Sequence, residues 1–409
     1  MYYFYWLPIG TDAKVRGIPW VTVSLVAANV VAFAALHLVP GAEALAYRLA
    51  FKPGEPTIPT AIASLFIHAG PLHLIENMLF LGVFGPPLES RLGRARFGIA
   101  FLGCGWLAHL VQAAWVMKAI PGMASLPIFG SSGAISGLMG LFLVRLYFAR
   151  LRFASISQLL LQGTVKPGPF TLPALTGVGL WFALQFFHRA GDAIPEMAVI
   201  SPLSGLLAGI LFGWSLGLAS EGRVESRLAL GGRHAARAEW FAALGEYEAY
   251  LEKAPEDAEA IAQVGRIHRV THQEASAVDS FRTAIHLWLK QGENARACDA
   301  YEEMKRLLGG VTLPAEDLLR VARACEELGR PGDASRAYEA FGRHYPDREG
   351  AAVAMLKSAE IEQRTLNNPG RAKYLYDELL LRQLTPDIER VVREHVERTE
   401  AEIARSSTV

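Results

Sequence analysis

Cysteine is scarce in this chain, and its scarcity excludes two kinds of small scaffold. The three cysteines, Cys104, Cys298 and Cys325, lie far apart, and none belongs to a C-x-x-C pair. We therefore expect neither a disulfide framework nor a cysteine-ligated zinc site. An excess of charge is also lacking, because 40 Lys and Arg face 40 Asp and Glu. With no basic excess and no metal-ligand pattern, we predict no metal, no cofactor and no nucleic-acid partner.

Charged residues are scarce between residues 20 and 218 and abundant between 221 and 409, where Glu, Asp, Arg and Ala dominate. The first part contains six apolar segments, and each can cross a hydrocarbon layer of about 30 Å as a helix. A soluble protein with six buried helices is the alternative. The predicted spans are Trp20–Val39, Thr60–Gly85, Phe97–Met117, Ser132–Phe148, Phe170–Phe187 and Met197–Leu218.

Basic residues are concentrated in alternate loops between these segments. The loops on one side are rich in Lys and Arg, whereas those on the other side hold only Arg48, Lys52, Lys118 and Arg189. By the positive-inside rule, both termini are predicted to be cytoplasmic. Residues 1–19 lack a basic start followed by an apolar core, so the first apolar segment is predicted to be a retained span. We expect a multi-pass protein in the lipid bilayer of a bacterial plasma membrane.

The charged part of the chain contains internal repeats. In the clearest copy, Ala334, Tyr338, Phe341 and Pro346 stand at offsets 0, 4, 7 and 12. A second full copy begins at Ala243, and partial copies begin at Ala277, Ala297 and Ala372. Small and aromatic residues at this spacing share one helix face. The pattern resembles tetratricopeptide repeats, and a generic helical bundle is the alternative. Because stacked helix pairs usually bind protein segments, we expect a cytoplasmic protein partner.

The local pattern with most chemical content is Gly130-Ser131-Ser132-Gly133 at the start of the fourth span. Free N–H groups and the positive end of the helix dipole lie at such a start. A serine oxygen there could attack a carbonyl carbon while nearby N–H groups hold the oxyanion. Glycine and serine are also common in membrane helices because they permit close packing, so packing is the other interpretation.

Two further patterns accompany this start. His73 and Asn77 are four residues apart in the second span and so share a helix face, from which they could donate hydrogen bonds to an oxyanion. Gly205 and Gly209 belong to a glycine stripe in the sixth span, which predicts close packing against the glycines of the fourth span. The glycines for which we predict a structural role are Gly130, Gly133, Gly137, Gly205 and Gly209.

Together these blocks resemble the rhomboid family of intramembrane serine proteases over residues ~15–218. The resemblance rests on the second-span block FIHAGPLHLIENMLFLGVFGPPLESRLG, on GSSGAISGLMG and on SPLSGLLAG. It implies a nucleophile at Ser132, oxyanion donors at His73 and Asn77, and hydrolysis of a peptide bond in a membrane-spanning substrate segment.

The sequence departs from the family at the partner of the serine. The family has a histidine three residues before the first glycine of the sixth-span stripe, and Pro202 stands there. Proline has no acid–base chemistry, and we expect Pro202 in the first turn of that helix with Ser201 as its cap. His188 is the best substitute base by its expected depth, ahead of His68, His73 and His109.

The sequence thus predicts an all-α protein with a six-helix rhomboid bundle and a repeat solenoid. The predicted parts are a cytoplasmic segment 1–19, a membrane domain 20–218, a linker 219–237 and a cytoplasmic repeat domain 238–409. One functional hypothesis is a pseudoprotease that binds transmembrane segments and recruits a cytoplasmic partner through the repeats. The other is an active endopeptidase that uses Ser132 with a displaced base. A transporter or channel is less favoured, because the spans hold few charged residues.

Overall fold

The computed structural model describes the backbone of residues 4–157, 169–189 and 195–406, and the side chains of 7–154, 169–183 and 199–405. The chain divides into two compact units, Met1–Ser226 and Arg227–Val409, which we call the membrane unit and the repeat unit. This division falls within a helix, Leu218–Ala236, that covers almost all of the predicted linker. The fold is mostly helical, as predicted.

The membrane unit contains most of the apolar sequence. In chain order its elements are β1 (Phe4–Thr11), α1 (Trp20–Leu38), α2 (Ala42–Leu49), α3 (Ile58–Ala63), α4 (Pro71–Leu92), α5 (Arg94–Ala119), α6 (Ser132–Arg145), β2 (Arg150–Ser157), β3 (Phe170–Pro173), α7 (Ala174–Arg189), α8 (Pro195–Ser215) and α9 (Leu218–Ala236).

Two of the described helices, α1 and α5, are long and apolar enough to cross a membrane alone. Two bent pairs reach that length only together: Ile58–Phe66 with α4, bent by 95°, and Val199–Ser215 with α9, bent by 84°. The predicted span Thr60–Gly85 is therefore not one straight helix, because Gly70 and Pro71 start a new helix. At 1.5 Å per residue the 14 residues of α6 cover about 21 Å, so this helix is shorter than the hydrocarbon layer.

A small antiparallel sheet is the element that the sequence did not predict. Its strand order is β1-β2-β3, with Tyr5 opposite Ile156 and Leu151 opposite Leu172. The N-terminal segment thus pairs with the connection between the fourth and fifth predicted spans. The fifth predicted span began at Phe170, but residues 170–173 form a strand and the helix begins at Ala174.

A buried glutamate closes the start of α1. Pro19, the residue before α1, offers no side-chain cap, and Glu89 of α4 takes that role. Its carboxylate accepts hydrogen bonds from the backbone N–H of Val21 at 2.9 Å, the N–H of Thr22 at 2.8 Å and the Thr22 hydroxyl at 2.8 Å. Glu89 is 4 % exposed, so this anion is satisfied by the free N–H groups of a helix start.

Glycines bring α6 and α8 into backbone contact. A methyl group on Gly205 would lie 2.0 Å from the carbonyl oxygen of Gly133, and one on Gly209 would lie 1.9 Å from that of Gly137. A methyl group on Gly140 would meet the carbonyl oxygen of Leu206 at 2.2 Å. No side chain fits at these positions, so the stripe sets how closely the two helices approach.

The first turns of α9 dock on the C-terminal ends of α4 and α6. Glu225 forms ion pairs with Arg91 of α4 and, at 2.8 Å, with Arg145 of α6. Gly222 packs against the end of α6, since a methyl group there would lie 2.8 Å from the carbonyl oxygen of Arg145. The Tyr147 hydroxyl donates to Ser226 Oγ at 2.9 Å. We call Arg91, Arg145 and Glu225 the α9 clamp.

The repeat unit is built from the second part of α9 and nine further helices among the described residues. They are α10 (Trp240–Leu251), α11 (Ala258–Val270), α12 (Glu274–Gln291), α13 (Asn294–Leu308), α14 (Ala315–Glu327), α15 (Pro331–His344), α16 (Ala351–Arg364), α17 (Pro369–Leu380) and α18 (Pro386–Ser406).

The repeat residues found in the sequence form the inner face of these helices. Tyr301 of α13, Tyr338 of α15 and Tyr376 of α17 are among the largest fully buried or nearly buried side chains, and Phe281 of α12 is also buried. The alanines at offset 0 of every copy are buried beside them. Consecutive helices α12 and α13 both carry the pattern, so the helix pairs are not strictly regular.

Two of the cysteines meet in the repeat unit. Cys298 on α13 and Cys325 on α14 are both buried, and Cys298 Sγ donates to the carbonyl oxygen of Val321 in α14 at 3.8 Å. Interaction with Cys325 lowers the pKa of Cys298, and interaction with Cys298 together with burial raises the pKa of Cys325. Their separation by 27 positions in the sequence gave no sign of this contact.

Candidate active site of the membrane unit

The GSSG block forms a tight turn into α6, which begins at Ser132. Gly130 has a φ of +113°, a conformation that side-chain-bearing residues rarely adopt, and its N–H donates to the carbonyl oxygen of Ser64 at 2.9 Å. Ser131 is buried, and Ser132 is partly exposed. The turn thus holds the Ser132 hydroxyl at the positive end of a helix whose first N–H groups have no partner within the helix.

His73 and Asn77 lie on the α4 side of this turn. A methyl group on Gly130 would be 2.9 Å from Cε1 and 3.2 Å from Nε2 of His73, so the imidazole packs directly against the turn. Asn77 Nδ2 donates to the carbonyl oxygen of His73 at 2.9 Å. That bond uses one of the two N–H groups of the Asn77 amide, and the second remains for another acceptor.

The other wall of the turn is the N-terminal part of α8. A methyl group on Gly133 would lie 2.7 Å from Ser201 Oγ, and Gly205 touches the Gly133 carbonyl. Pro202 lies between Ser201 and Gly205 in the sequence, inside α8. The expectation that Pro202 occupies the first turn with Ser201 as cap is wrong, because α8 begins at Pro195 and extends through the apolar residues before Ser201.

A family model described as the Rhomboid domain matches residues 57–219, which include α4, α6 and the glycine stripe of α8. The chain contains a rhomboid domain. RHOMBOID-like protein 6, mitochondrial, of Arabidopsis thaliana is 35 % identical over 155 residues, which are 38 % of this chain and 42 % of that protein. Rhomboid protein 1, mitochondrial, of Saccharomyces cerevisiae is 28 % identical over 177 residues, 42 % of this chain and 46 % of that protein.

The family-model match ends before the repeat unit, and the chain covers less than half of the length of each of these two relatives. Among solved structures, a tetratricopeptide repeat protein from Parabacteroides merdae aligns with 56 % of this chain and 93 % of its own, at 13 % identity and a TM-score of 0.18. A superposition this poor supports no conclusion about the fold. The repeats are recognised from the helices of the repeat unit and from their buried alanines and aromatic residues.

The rhomboid domain of this chain keeps the serine turn, with the His73 imidazole packed against Gly130. The family's histidine position holds Pro202, whose ring cannot accept a proton. His188 lies outside the described side chains, so its distance to Ser132 is not defined by the structure.

Two other histidines pair with serines that the sequence analysis did not select. His68 Nε2 lies 3.4 Å from Ser131 Oγ, and the His68 and His73 rings meet edge to face with centroids 5.1 Å apart. His109 Nδ1 lies 3.3 Å from Ser64 Oγ and 3.1 Å from the carbonyl oxygen of Ala61. His109 therefore supports the loop whose Ser64 carbonyl oxygen accepts from the Gly130 N–H of the turn.

The described geometry could hold a carbonyl oxygen at the turn. Hydrogen-bond donors converge on the turn from the start of α6 and from α4, as oxyanion stabilisation requires. Removal of the Ser132 proton would need a general base, and the Pro202 ring cannot serve as one. The spacing of serines and histidines along the sequence gave no indication that Ser131 would have an imidazole partner.

Proposed function

We propose that the rhomboid domain binds transmembrane segments of other membrane proteins without cutting them. The observation that supports this proposal is Pro202, which lies inside α8 at the position where the resemblance places the family's histidine. A serine hydroxyl is a weak nucleophile unless a base accepts its proton. Loss of the base leaves a residual rate of only about 10³-fold over water in related serine enzymes, too slow for a working peptidase.

Labelling with a fluorophosphonate probe tests the proposal in the full chain in detergent micelles. The native chain is expected not to react, and Pro202→His is expected to gain labelling that Ser132→Ala removes. Pro202→Ala is the matched control, because it restores the same backbone N–H in α8 without an imidazole. Labelling of the native chain that disappears with Ser132→Ala would contradict the proposal.

An active endopeptidase is the second candidate, and the contact between His68 Nε2 and Ser131 Oγ at 3.4 Å is the observation that favours it. In this candidate the imidazole takes the proton of the Ser131 hydroxyl, one residue before the family's nucleophile. The same probe separates the two candidates. Labelling that is lost with Ser131→Ala and with His68→Ala, but kept with Ser132→Ala, would establish this second route.

We further propose that the repeat unit recruits a protein partner, with both termini in the cytoplasm of a bacterial cell. The buried repeat residues and the alternation of basic loops support this part of the proposal. A chain that ends after Ser226 is the comparison for the full chain after cross-linking in cells. A partner that depends on the repeats is expected with the full chain alone, and identical partners for both chains would contradict recruitment by the repeats.

A further inference from the structure

The repeat unit contains a cleft of about 370 Å³ where α13, α15 and the loop after α13 meet. Four cationic side chains and one carboxylate line it, and Tyr301, Val311 and Ala340 add apolar surface. A cavity of this size matches the smaller binding pockets of proteins. The charged lining residues are Lys305, Arg336, Glu339, Arg343 and Arg371.

The one lining carboxylate is already neutralised. Glu339 accepts from Arg371 Nη2 at 2.6 and 2.7 Å, and its Oε1 lies 2.6 Å from Arg343 Nη1. Glu339 is 8 % exposed, so two guanidinium groups surround a buried acid. The Glu339 carboxylate is thus held by Arg371 and Arg343, and a ligand that enters the cleft meets mainly cationic groups.

Two of the cations retain unused hydrogen-bonding capacity. Lys305 has no ion-pair partner in the part of the chain that the structure describes, and its Nζ lies 5.4 Å from the centre of the Tyr301 ring. Arg336 contacts Glu302 and Asp333 through Nη2 alone, which leaves its Nε and Nη1 groups for another acceptor. Ammonium and guanidinium groups prefer carboxylates as partners.

We propose that this cleft binds an acidic segment of the partner protein, in which Asp or Glu carboxylates reach Lys305 and Arg336. The proposal rests on the recruitment of a partner by the repeats and names the chemistry of the segment bound. The apolar lining favours a peptide over a free anion, because Val311 and Ala340 can contact the segment between its charges. Affinity should fall as salt rises, since both cations are partly exposed.

Fluorescence anisotropy with a defined peptide tests the proposal in the full chain in micelles. The probe is a fluorescein-labelled peptide of Glu and Gly, and its matched control replaces every Glu by Gln. The Glu peptide is expected to bind at least about tenfold more tightly than the Gln peptide, a difference of about 1.4 kcal/mol. Lys305→Glu should abolish most of that difference.

Lys253→Glu is the control variant, because this substitution makes the same change of charge at an exposed position outside the cleft. Equal binding of the Glu peptide by the native chain and Lys305→Glu would overturn the proposal, as would binding confined to a phosphoserine version of the peptide. If the cross-linked partner depends on residues 227–409 but not on Lys305, recruitment by the repeats stands and only the cleft assignment fails.

Discussion

Single residues decide the chemistry of the membrane unit. The resemblance places the family's base at Pro202, and the proposed loss of hydrolysis rests on this one side chain. Gly130 makes the turn before Ser132 possible, because its φ of +113° suits a residue without a side chain. Ser131 is the residue whose role the sequence hid, since only the fold brings His68 beside it.

Gly209→Ala is expected to destabilise the membrane unit by about 1–3 kcal/mol or more, because overpacking a close contact forces the helices apart. The new methyl group would lie 1.9 Å from the Gly137 carbonyl oxygen. Thermal unfolding in detergent micelles, followed by tryptophan fluorescence, measures the effect. Gly82→Ala is the control, because open space surrounds that exposed position of α4. Equal melting temperatures for the two variants would contradict the close packing of α6 and α8.

At the scale of elements, helix ends organise the membrane unit. The start of α1 is capped by Glu89 of α4, the start of α6 carries the serine turn, and the end of α6 meets the α9 clamp. At the start of α1 the Glu89 carboxylate accepts from free N–H groups of the terminus, whereas at the end of α6 the clamp joins the side chains of Arg145 and Glu225. These contacts join segments that are far apart in the sequence.

Glu89→Ala is expected to lower the free energy of unfolding by about 1–3 kcal/mol, because two helix N–H groups and the Thr22 hydroxyl lose their buried acceptor. Ser90→Ala is the neighbouring control, since Ser90 Oγ makes one partly buried bond to the Pro87 carbonyl oxygen at 3.1 Å. Denaturant or thermal unfolding in micelles compares the two. A smaller effect for Glu89→Ala than for Ser90→Ala would show that α1 needs no such cap.

The α9 clamp should make stability depend on pH at acid values. Burial alone raises the pKa of Glu225, but hydrogen bonds and charge from Arg91 and Arg145 outweigh it, so the pKa lies below its ordinary value of 4.5. A lowered folded-state pKa contributes stability that is present above pH 4.5 and is lost as the pH falls through the folded value.

Thermal unfolding between pH 7 and pH 3 measures this effect, and Glu225→Gln is expected to unfold at a lower temperature at pH 7 with a weaker fall on acidification. Glu221→Gln is the control, because Glu221 is half exposed and makes one contact with Arg145 at 3.3 Å. An identical pH profile for the native chain and Glu225→Gln would rule out a contribution from the clamp.

For the whole molecule, the separation into two units follows the distribution of charge along the chain. The apolar part forms the membrane unit, and the charged part forms a helical repeat unit with its own buried aromatic core. The repeat pattern placed the residues of that core correctly, because offsets of four and seven put side chains on one helix face. The cleft with Lys305 could not be predicted, since residues from three helices and a loop line it.

Fusions test the expected orientation of the whole chain in a bacterial membrane. Green fluorescent protein fused after Val409 is expected to fluoresce and alkaline phosphatase at the same place to be inactive, because basic loops favour the cytoplasmic side. For fusions after Gly122, in the loop between α5 and α6, alkaline phosphatase is expected to be active and green fluorescent protein not to fluoresce. Active phosphatase after Val409 would overturn the predicted orientation.

The sequence by itself determined which segments are apolar helices, which residues repeat, and that Ser132 lies at a glycine-rich helix start. Periodicity and spacing suffice for these, because they depend on neighbours within one helix turn or two. Only the tertiary structure decided that β1 pairs with β2, that Glu225 meets two arginines, and that His68 faces Ser131 while Pro202 lies inside α8. Such contacts join residues tens to more than a hundred positions apart, and local patterns carry no information about which of them meet.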